Sequence, residues 1–320
     1  MAARDKDPLG KDKSMNIHRF SVAVNCHLPD ACAATDGVQD REEIFEDCGC
    51  LLLPECYTDT GAPTRLVISC HGAGGTVTTD DAQVLCQVLT RYLLANGYAV
   101  MDVNGLPEAY AKKNGIDLRN NVGSPIAVRS YVKAYHYCME HFNLKPDVFV
   151  HGGSMGGISS TNLVLCGCIP VIAHSAFCPV LDTYNEIFLH PWSGGLPKTA
   201  LGKIYGFDTD ENGEYRYDEG KLCGFNPAQN GKAKHYPVPV KFWHCVDDPV
   251  VPFSVTEKFV NGIKQNGGNA FLRAFPYGGH EPQLVGEPIE HPCGNAAFEG
   301  EELKITPAVE EVLIFIRSFD

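Results

Sequence analysis

From residue 65 onward the chain alternates two hydrophobic patterns. Short apolar runs rich in β-branched and aromatic residues recur at 65–70, 98–103, 147–151, 170–174, 240–246 and 271–275. Four of them stop at Asn104, Gly152, Asp247 and Pro276, which reads as a buried strand ending at a turn. Between several of these runs lie stretches with helical spacing. Acidic residues open 80–95 and Asn96-Gly97 closes it. Ser124 caps a second helix with Pro125 at its first position, and Val128, Tyr131, Tyr135 and Cys138 mark its apolar face as far as about residue 142. Residues 158–165 are apolar and helix-like, and 307–319 form an amphipathic last helix. Strands alternating with helices predict a mostly parallel sheet covered on both faces.

Several segments depart from the alternation. Residues 1–16 are polar and lysine-rich and are expected to be a disordered tail, with 17–320 forming one domain. Residues 19–53 carry weak strand signals suited to an antiparallel edge or a flap. A strand is expected over 50–57, with a turn at 59–63. Residues 181–237 are too long for a simple connection and are rich in aromatics, including Trp192, Tyr205, Phe207, Tyr215 and Tyr217. Open α/β sheets bind ligands beyond the C-terminal ends of their strands. The segment is therefore expected to be a lid that shapes the pocket, with Trp192 touching substrate. A surface excursion with incidental aromatics is the alternative. Residues 281–306 are expected to wall the same pocket.

Composition narrows the function. The chain has 320 residues and is 44% hydrophobic, enough for a large core. A net charge of −13 argues against nucleic acid and anionic membrane surfaces as partners. No apolar run is long enough to span a bilayer. Many of the 14 cysteines fall inside expected core elements: Cys70, Cys86, Cys138, Cys166, Cys178 and Cys245. There a thiol behaves as a small hydrophobe. The pairs Cys48-Gly49-Cys50 and Cys166-Gly167-Cys168 lack zinc-ligand spacing, so no metal site is expected. These thiols, and the charged residues 1–13 without an apolar run, lead to the expectation of a reducing compartment, the cytoplasm.

Four strand ends carry the chemistry. The run 147–151 enters Gly152-Gly153-Ser154-Met155-Gly156-Gly157, a Gly-x-Ser-x-Gly turn that lifts a serine hydroxyl clear of the sheet. Ser154 is the candidate nucleophile. The strand at 240–246 ends in Asp247-Asp248-Pro249-Val250-Val251-Pro252, and the strand at 271–275 leads to Gly278-Gly279-His280. His280 is the candidate base, and Asp247 or Asp248 would orient it. The strand at 65–70 empties into His71-Gly72-Ala73-Gly74-Gly75, whose small residues let backbone amides face a developing oxyanion. The oxyanion donors expected are Met155 and Ala73, with Gly74 as second choice and as a substrate contact. His71 is expected to brace its loop, His151 to be a packed histidine, His244 to be in or next to the core, and Asp102 to stabilise a turn. A phosphate-binding reading of 71–75 fails for want of the lysine and hydroxyl of a P-loop.

The His-Gly-x-Gly-Gly loop, the serine turn, the Asp-Pro-Val-Val-Pro segment and the Gly-Gly-His resemble, in order, the motifs of the α/β-hydrolase superfamily. Within it the chain is most similar to single-domain esterases related to the prolyl-oligopeptidase catalytic domain. The resemblance covers most of the chain from about residue 60. It implies the α/β-hydrolase fold and a Ser-Asp-His triad that needs no cofactor. In the resembling enzymes the acid precedes a short stretch ending in Val-Pro, which favours Asp248 over Asp247. The expected substrate is a small carboxylic ester, with homo-oligomerisation left open. The roughly sixty residues before the core are too few for a propeller, whose blades take about forty each, and this favours an esterase. Peptidase or amidase action on the same triad is the alternative. An aminopeptidase would need a carboxylate for the free α-amine, and Asp182 and Glu186 are the candidates. A non-catalytic binding protein on this fold would be expected to lack a triad member.

Overall fold

The computed structural model describes residues 16–27, 43–78, 83–189, 195–222, 224–228, 232–288 and 305–320. Two antiparallel strands, β1 (Asn16–Asn25) and β2 (Ile44–Leu53), form one side of the sheet. Phe20, Val22 and Val24 are buried and alternate with exposed Ser21 and Ala23, as expected of an edge strand packed on one face. The strand expected over 50–57 starts earlier and stops at Leu53. Its pairing with β1 runs back to Ile44, and Pro54, which has no N–H to offer a ladder, follows its end.

The remaining strands are β3 (Leu66–Cys70), β4 (Ala99–Val103), β5 (Val148–Gly153), β6 (Val171–Phe177), β7 (Val240–Cys245) and β8 (Ala270–Phe275). The sheet order is β1-β2-β4-β3-β5-β6-β7-β8, parallel from β4 to β8. β3 and β4 are buried at every position, which explains why they read as unbroken apolar runs.

The helices are α1 (Gln83–Cys86), α2 (Val88–Ala95), α3 (Glu108–Asn114), α4 (Pro125–His141), α5 (Met155–Cys166), α6 (Leu196–Ile204), α7 (Phe253–Gln265) and α8 (Pro307–Arg317). One face of the sheet packs on α4, α5 and α7 through residues such as Tyr131, Ile158 and Phe259. The other packs on α2 and α8 through Leu89, Leu93, Val309 and Val312. The single helix expected over 80–95 is two helices, separated by extended backbone at Gln87 (φ −70°, ψ 130°). Its acidic start falls outside the described residues. The Ser124 cap is present, with Ala127 N–H donating to the Ser124 hydroxyl at 3.3 Å. α7 is an addition to the sequence reading, although Thr256, Phe259, Val260 and Ile263 are buried at helical spacing between Pro252 and Asn266-Gly267.

In 181–237, Phe188 of a π-helical turn (Thr183–Phe188) packs its ring with those of Phe207 and Tyr217 from the chain that follows α6. Leu181, Ile187, Leu201 and Phe225 join the large core of the α4–α5–α7 face. Ten described cysteines, among them Cys70, Cys138, Cys166, Cys178 and Cys245, carry free thiols. The side chain of Cys86 lies outside the described set. Among the described residues no helix is long and apolar enough to cross a membrane.

Candidate active site

The tight turn after β5 is set by glycines that cannot be replaced locally. A Cβ on Gly156 would lie 1.9 Å from the Cys70 carbonyl oxygen, and one on Gly152 would lie 2.4 Å from the Gly156 carbonyl oxygen. These close approaches seat the start of α5 against the end of β3 and leave Ser154 at the apex. Ser154 adopts φ 53°, ψ −122°, a conformation rare for a residue with a side chain. The turn is fastened by bonds from Ser154 N–H to the Phe177 carbonyl (3.0 Å) and from Gly157 and Val180 N–H to the Ser154 carbonyl (2.8 and 2.9 Å).

Three strand ends then converge. His280 Nε2 lies 2.8 Å from Ser154 Oγ, and His280 Nδ1 lies 2.8 Å from Asp248 Oδ2. A carboxylate can only accept, so Nδ1 carries the proton toward Asp248 and Nε2 is left to accept from the serine hydroxyl. The Asp248 side chain is buried. Its Oδ1 accepts the Val250 and Val251 amides at 2.8 and 2.9 Å, an aspartate turn that the adjoining Pro249 stiffens. Its Oδ2 also faces His244 Nε2 at 3.1 Å. Burial works to raise the Asp248 carboxyl. Hydrogen bonds from His244, His280 and the Val251 amide outweigh it and hold the group well below the usual carboxylate range. An anion that firmly held can orient the imidazole and stabilise its charged form.

His244, expected in or next to the core, is fully buried and works on this carboxylate. Its Nε2 also lies 3.0 Å from the Val251 carbonyl, an acceptor, which places the proton on Nε2. Thr256 Oγ1 then meets Nδ1 at 2.9 Å. Asp247 is not idle either. Its carboxylate accepts the Gly278 and Gly279 amides at 3.3 and 2.9 Å and so holds the turn that carries His280.

A second His–Asp pair braces the loop after β3. His71 Nδ1 lies 3.0 Å from Asp102 Oδ2, and Asp102 Oδ1 accepts the Tyr131 hydroxyl and the Val103 amide, both at 2.8 Å. Burial pushes the His71 imidazole down, but the charge and hydrogen bond of Asp102 raise it overall.

A cavity of about 430 Å³ opens at Ser154 and runs toward the α2 and α8 face. Ala73, Leu89, His151, Phe177, Leu284 and Val309 line it. Ala73 thus lines the cavity, while Gly74 is not among its lining residues: its φ is +85° and its amide donates to the Arg119 carbonyl at 3.2 Å. Met155 begins α5, so its amide belongs to the helix-start donors that have no acceptor within the helix. Trp192 lies outside the described residues, and none of the described residues of 181–237 lines this cavity. Glu281, Gln283 and Leu284 do contribute to the wall, while 289–304 lie outside the described set. Asp182 and Glu186 are occupied elsewhere. Asp182 caps the π-helical turn, and Glu186 Oε2 accepts the Leu181 and Asp182 amides at 2.6 and 2.8 Å. Burial pushes the Glu186 carboxyl up to about 8.

Cys178 is a site residue that the sequence reading left among the core thiols. Its Sγ donates to the His280 carbonyl at 3.4 Å, and it lines the cavity. Its position at the end of β6, level with the serine turn, was the available signal. Burial and the nearby Asp248 raise this thiol well above its ordinary range.

No family model matches this chain, and no curated protein matches it. Solved structures do. An acylaminoacyl peptidase from Pyrococcus horikoshii superposes with a TM-score of 0.59 at 13% identity, over 96% of this chain and 41% of that one. A puromycin hydrolase gives 0.56 at 17%, over 87% and 37%. A puromycin-hydrolyzing peptidase from Mycobacterium tuberculosis gives 0.53 at 18%, over 73% and 34%. The chain spans at most about two fifths of the length of these proteins. With the sheet order and the serine turn, these likenesses show that the chain has the α/β-hydrolase fold.

Proposed function

We propose that the chain is a serine hydrolase that cleaves carboxylic esters of modest size through an acyl-enzyme. The observation that carries this reading is the unbroken relay Ser154–His280–Asp248, with both links at 2.8 Å, whose serine and histidine line a cavity of about 430 Å³. That volume falls within the range of small-molecule sites. Ser154 Oγ attacks the acyl carbon as its proton passes to His280 Nε2. The tetrahedral oxyanion is held by the Met155 amide, at the positive end of α5, and by the Ala73 amide of the adjacent loop. His280 returns the proton to the leaving alkoxide, then takes one from water as it attacks the acyl-enzyme. Asp248 stabilises the imidazolium at each stage.

Ester cleavage is preferred to aminopeptidase action because neither Asp182 nor Glu186 lines the cavity at Ser154, and one oxygen of each accepts local backbone amides. Peptide or amide cleavage on the same relay is the second reading. It is favoured by the names of the similar solved structures, which are peptidases, and by Glu281, a carboxylate in the cavity wall. The test is a p-nitrophenyl ester series from acetate to octanoate, run beside aminoacyl-p-nitroanilides, on the wild type and Ser154→Ala. Ester turnover that favours short chains and disappears in the variant is expected. Anilide cleavage with little ester turnover moves the function to the peptidase reading, and activity that survives Ser154→Ala removes both.

A further inference from the structure

Most of the inner wall of the cavity is apolar, formed by Leu89, Phe177 and Val309. His151 interrupts it. This residue lies on β5, three before Ser154, and is 4% exposed. Strand alternation puts it on the same face as Phe149, toward α2 and α8, and its ring meets Phe177 edge-on at 5.0 Å. Across the ladder it is paired with Ser175 of β6, whose Oγ lies 2.9 Å from His151 Nδ1. Nε2 has no hydrogen-bond partner among the described residues, and the residue lines the cavity. Here one nitrogen is tied down and the other is left for whatever fills the cavity. Burial pushes the imidazole down to about 3, so it meets the ligand neutral.

We infer that His151 is the specificity-determining residue of this site, and that its Nε2 hydrogen-bonds a hydroxyl on the acyl chain of the substrate. The substrate class is therefore short hydroxyacyl esters, taken in preference to plain alkanoates of the same length. A hydroxyl both donates and accepts, so it fits either tautomer that Ser175 selects. A buried polar group left unpaired by an alkyl ligand is what makes such a site reject the isostere. The inference rests on the serine-hydrolase reading for its catalytic arm but not for its binding arm.

The experiment compares p-nitrophenyl esters of 2-, 3- and 4-hydroxyacyl chains with their methyl isosteres, in which CH₃ replaces OH. For at least one position, kcat/KM should favour the hydroxy ester by about tenfold or more, and His151→Phe should bring that ratio to about one or below. His151→Gln, which keeps a hydrogen-bonding end, should recover part of it. If His151→Phe does not fold by circular dichroism, Ser175→Ala serves instead, since it unties Nδ1 and should lower the ratio in the same sense. The same ester pairs are titrated by calorimetry into Ser154→Ala with and without His151→Phe. This affinity ratio decides the inference even if no ester is hydrolysed, an outcome that would sink the catalytic reading alone. A ratio near one at every position in the wild type, or one unmoved by His151→Phe, overturns the inference.

Discussion

The molecule contains two His–Asp pairs at neighbouring strand ends, and they differ in what lies beyond the histidine. In His71–Asp102 both side chains are 1% exposed, and the carboxylate is shared with Tyr131 and the Val103 amide. His71 Nε2 has no partner among the described residues. In His280–Asp248 the carboxylate is equally buried, but the imidazole is 21% exposed and its Nε2 faces a serine hydroxyl across 2.8 Å. The pairing chemistry is the same. Access and the third partner divide the roles: a pair sealed on all sides can fix a loop, while a pair open at one nitrogen can move a proton. On this account His71–Asp102 holds the 71–73 loop in place and His280–Asp248 works on Ser154.

Substitutions at the open pair should produce the largest effects on turnover. Ser154→Ala and His280→Ala are each expected to lower kcat on the best p-nitrophenyl ester by about 10⁴- to 10⁶-fold, with unfolding in urea near that of the wild type. Next comes Asp248→Asn, at about 10³- to 10⁴-fold. The amide keeps an oxygen for the Val250 and Val251 amides but sets an NH₂ against the His244 and His280 donors and loses the charge, so the variant should fold with reduced stability at neutral pH. The sealed pair should reverse the balance. Asp102→Ala leaves His71 buried without its counter-charge and is expected to destabilise the chain by about 3 kcal/mol. Its effect on kcat should be smaller, about ten- to a hundredfold through displacement of the oxyanion loop. A loss of turnover at Asp102→Ala equal to that at Asp248→Asn would erase the distinction.

The sequence made the open pair legible because each member sits at a strand end in a turn with its own signature. The serine turn needs small residues at 152 and 156 for reasons that follow from backbone contact, so the Gly-x-Ser-x-Gly spacing, set between an apolar strand and a helix-like stretch, marks the position of the nucleophile. The choice of Asp248 over Asp247 was also accessible, through the Asp-Pro-Val-Val-Pro register. The sealed pair was half legible: His71 read as a brace and Asp102 as a turn carboxylate, but their meeting depends on β3 and β4 being sheet neighbours. Cys178 likewise depends on packing that brings it to the His280 carbonyl, whereas the partners of His244 are local in sequence, Asp248, Val251 and Thr256. Gly74 was misplaced because the amide that turns outward in a glycine loop depends on the opposite wall, here the Arg119 carbonyl. The segment 181–237 announced itself by length and aromatics. Those aromatics reflect packing on the core as readily as contact with a ligand, and periodicity does not separate the two.

Two smaller effects sharpen the comparison. Asp247→Ala removes the acceptor for the Gly278 and Gly279 amides and should cost about 1 kcal/mol, with a modest fall in kcat as the His280 turn loosens. The pairs should also differ in pH dependence. The Asp248 carboxyl is lowered in the folded chain, so its contribution is complete above about pH 3.9, the unfolded value, and is lost as pH falls through the lower folded value. The His71 imidazole is raised, so its contribution is complete below about pH 6.5 and is lost as pH rises through the higher folded value. The stability gap between wild type and Asp248→Asn should therefore close in acid, and that between wild type and His71→Gln should close in base. Urea midpoints across the pH range would show this. Gaps that close at the same end contradict it.

The central claim is that one serine is activated by one open His–Asp pair. A fluorophosphonate probe with peptide mapping tests it most directly, on the wild type, His280→Ala and His71→Gln. The account predicts a covalent adduct on Ser154 in the wild type, retained in His71→Gln at a reduced rate and absent from His280→Ala. Labelling at another residue, no labelling of the wild type, or an adduct that forms equally well without His280 would contradict it.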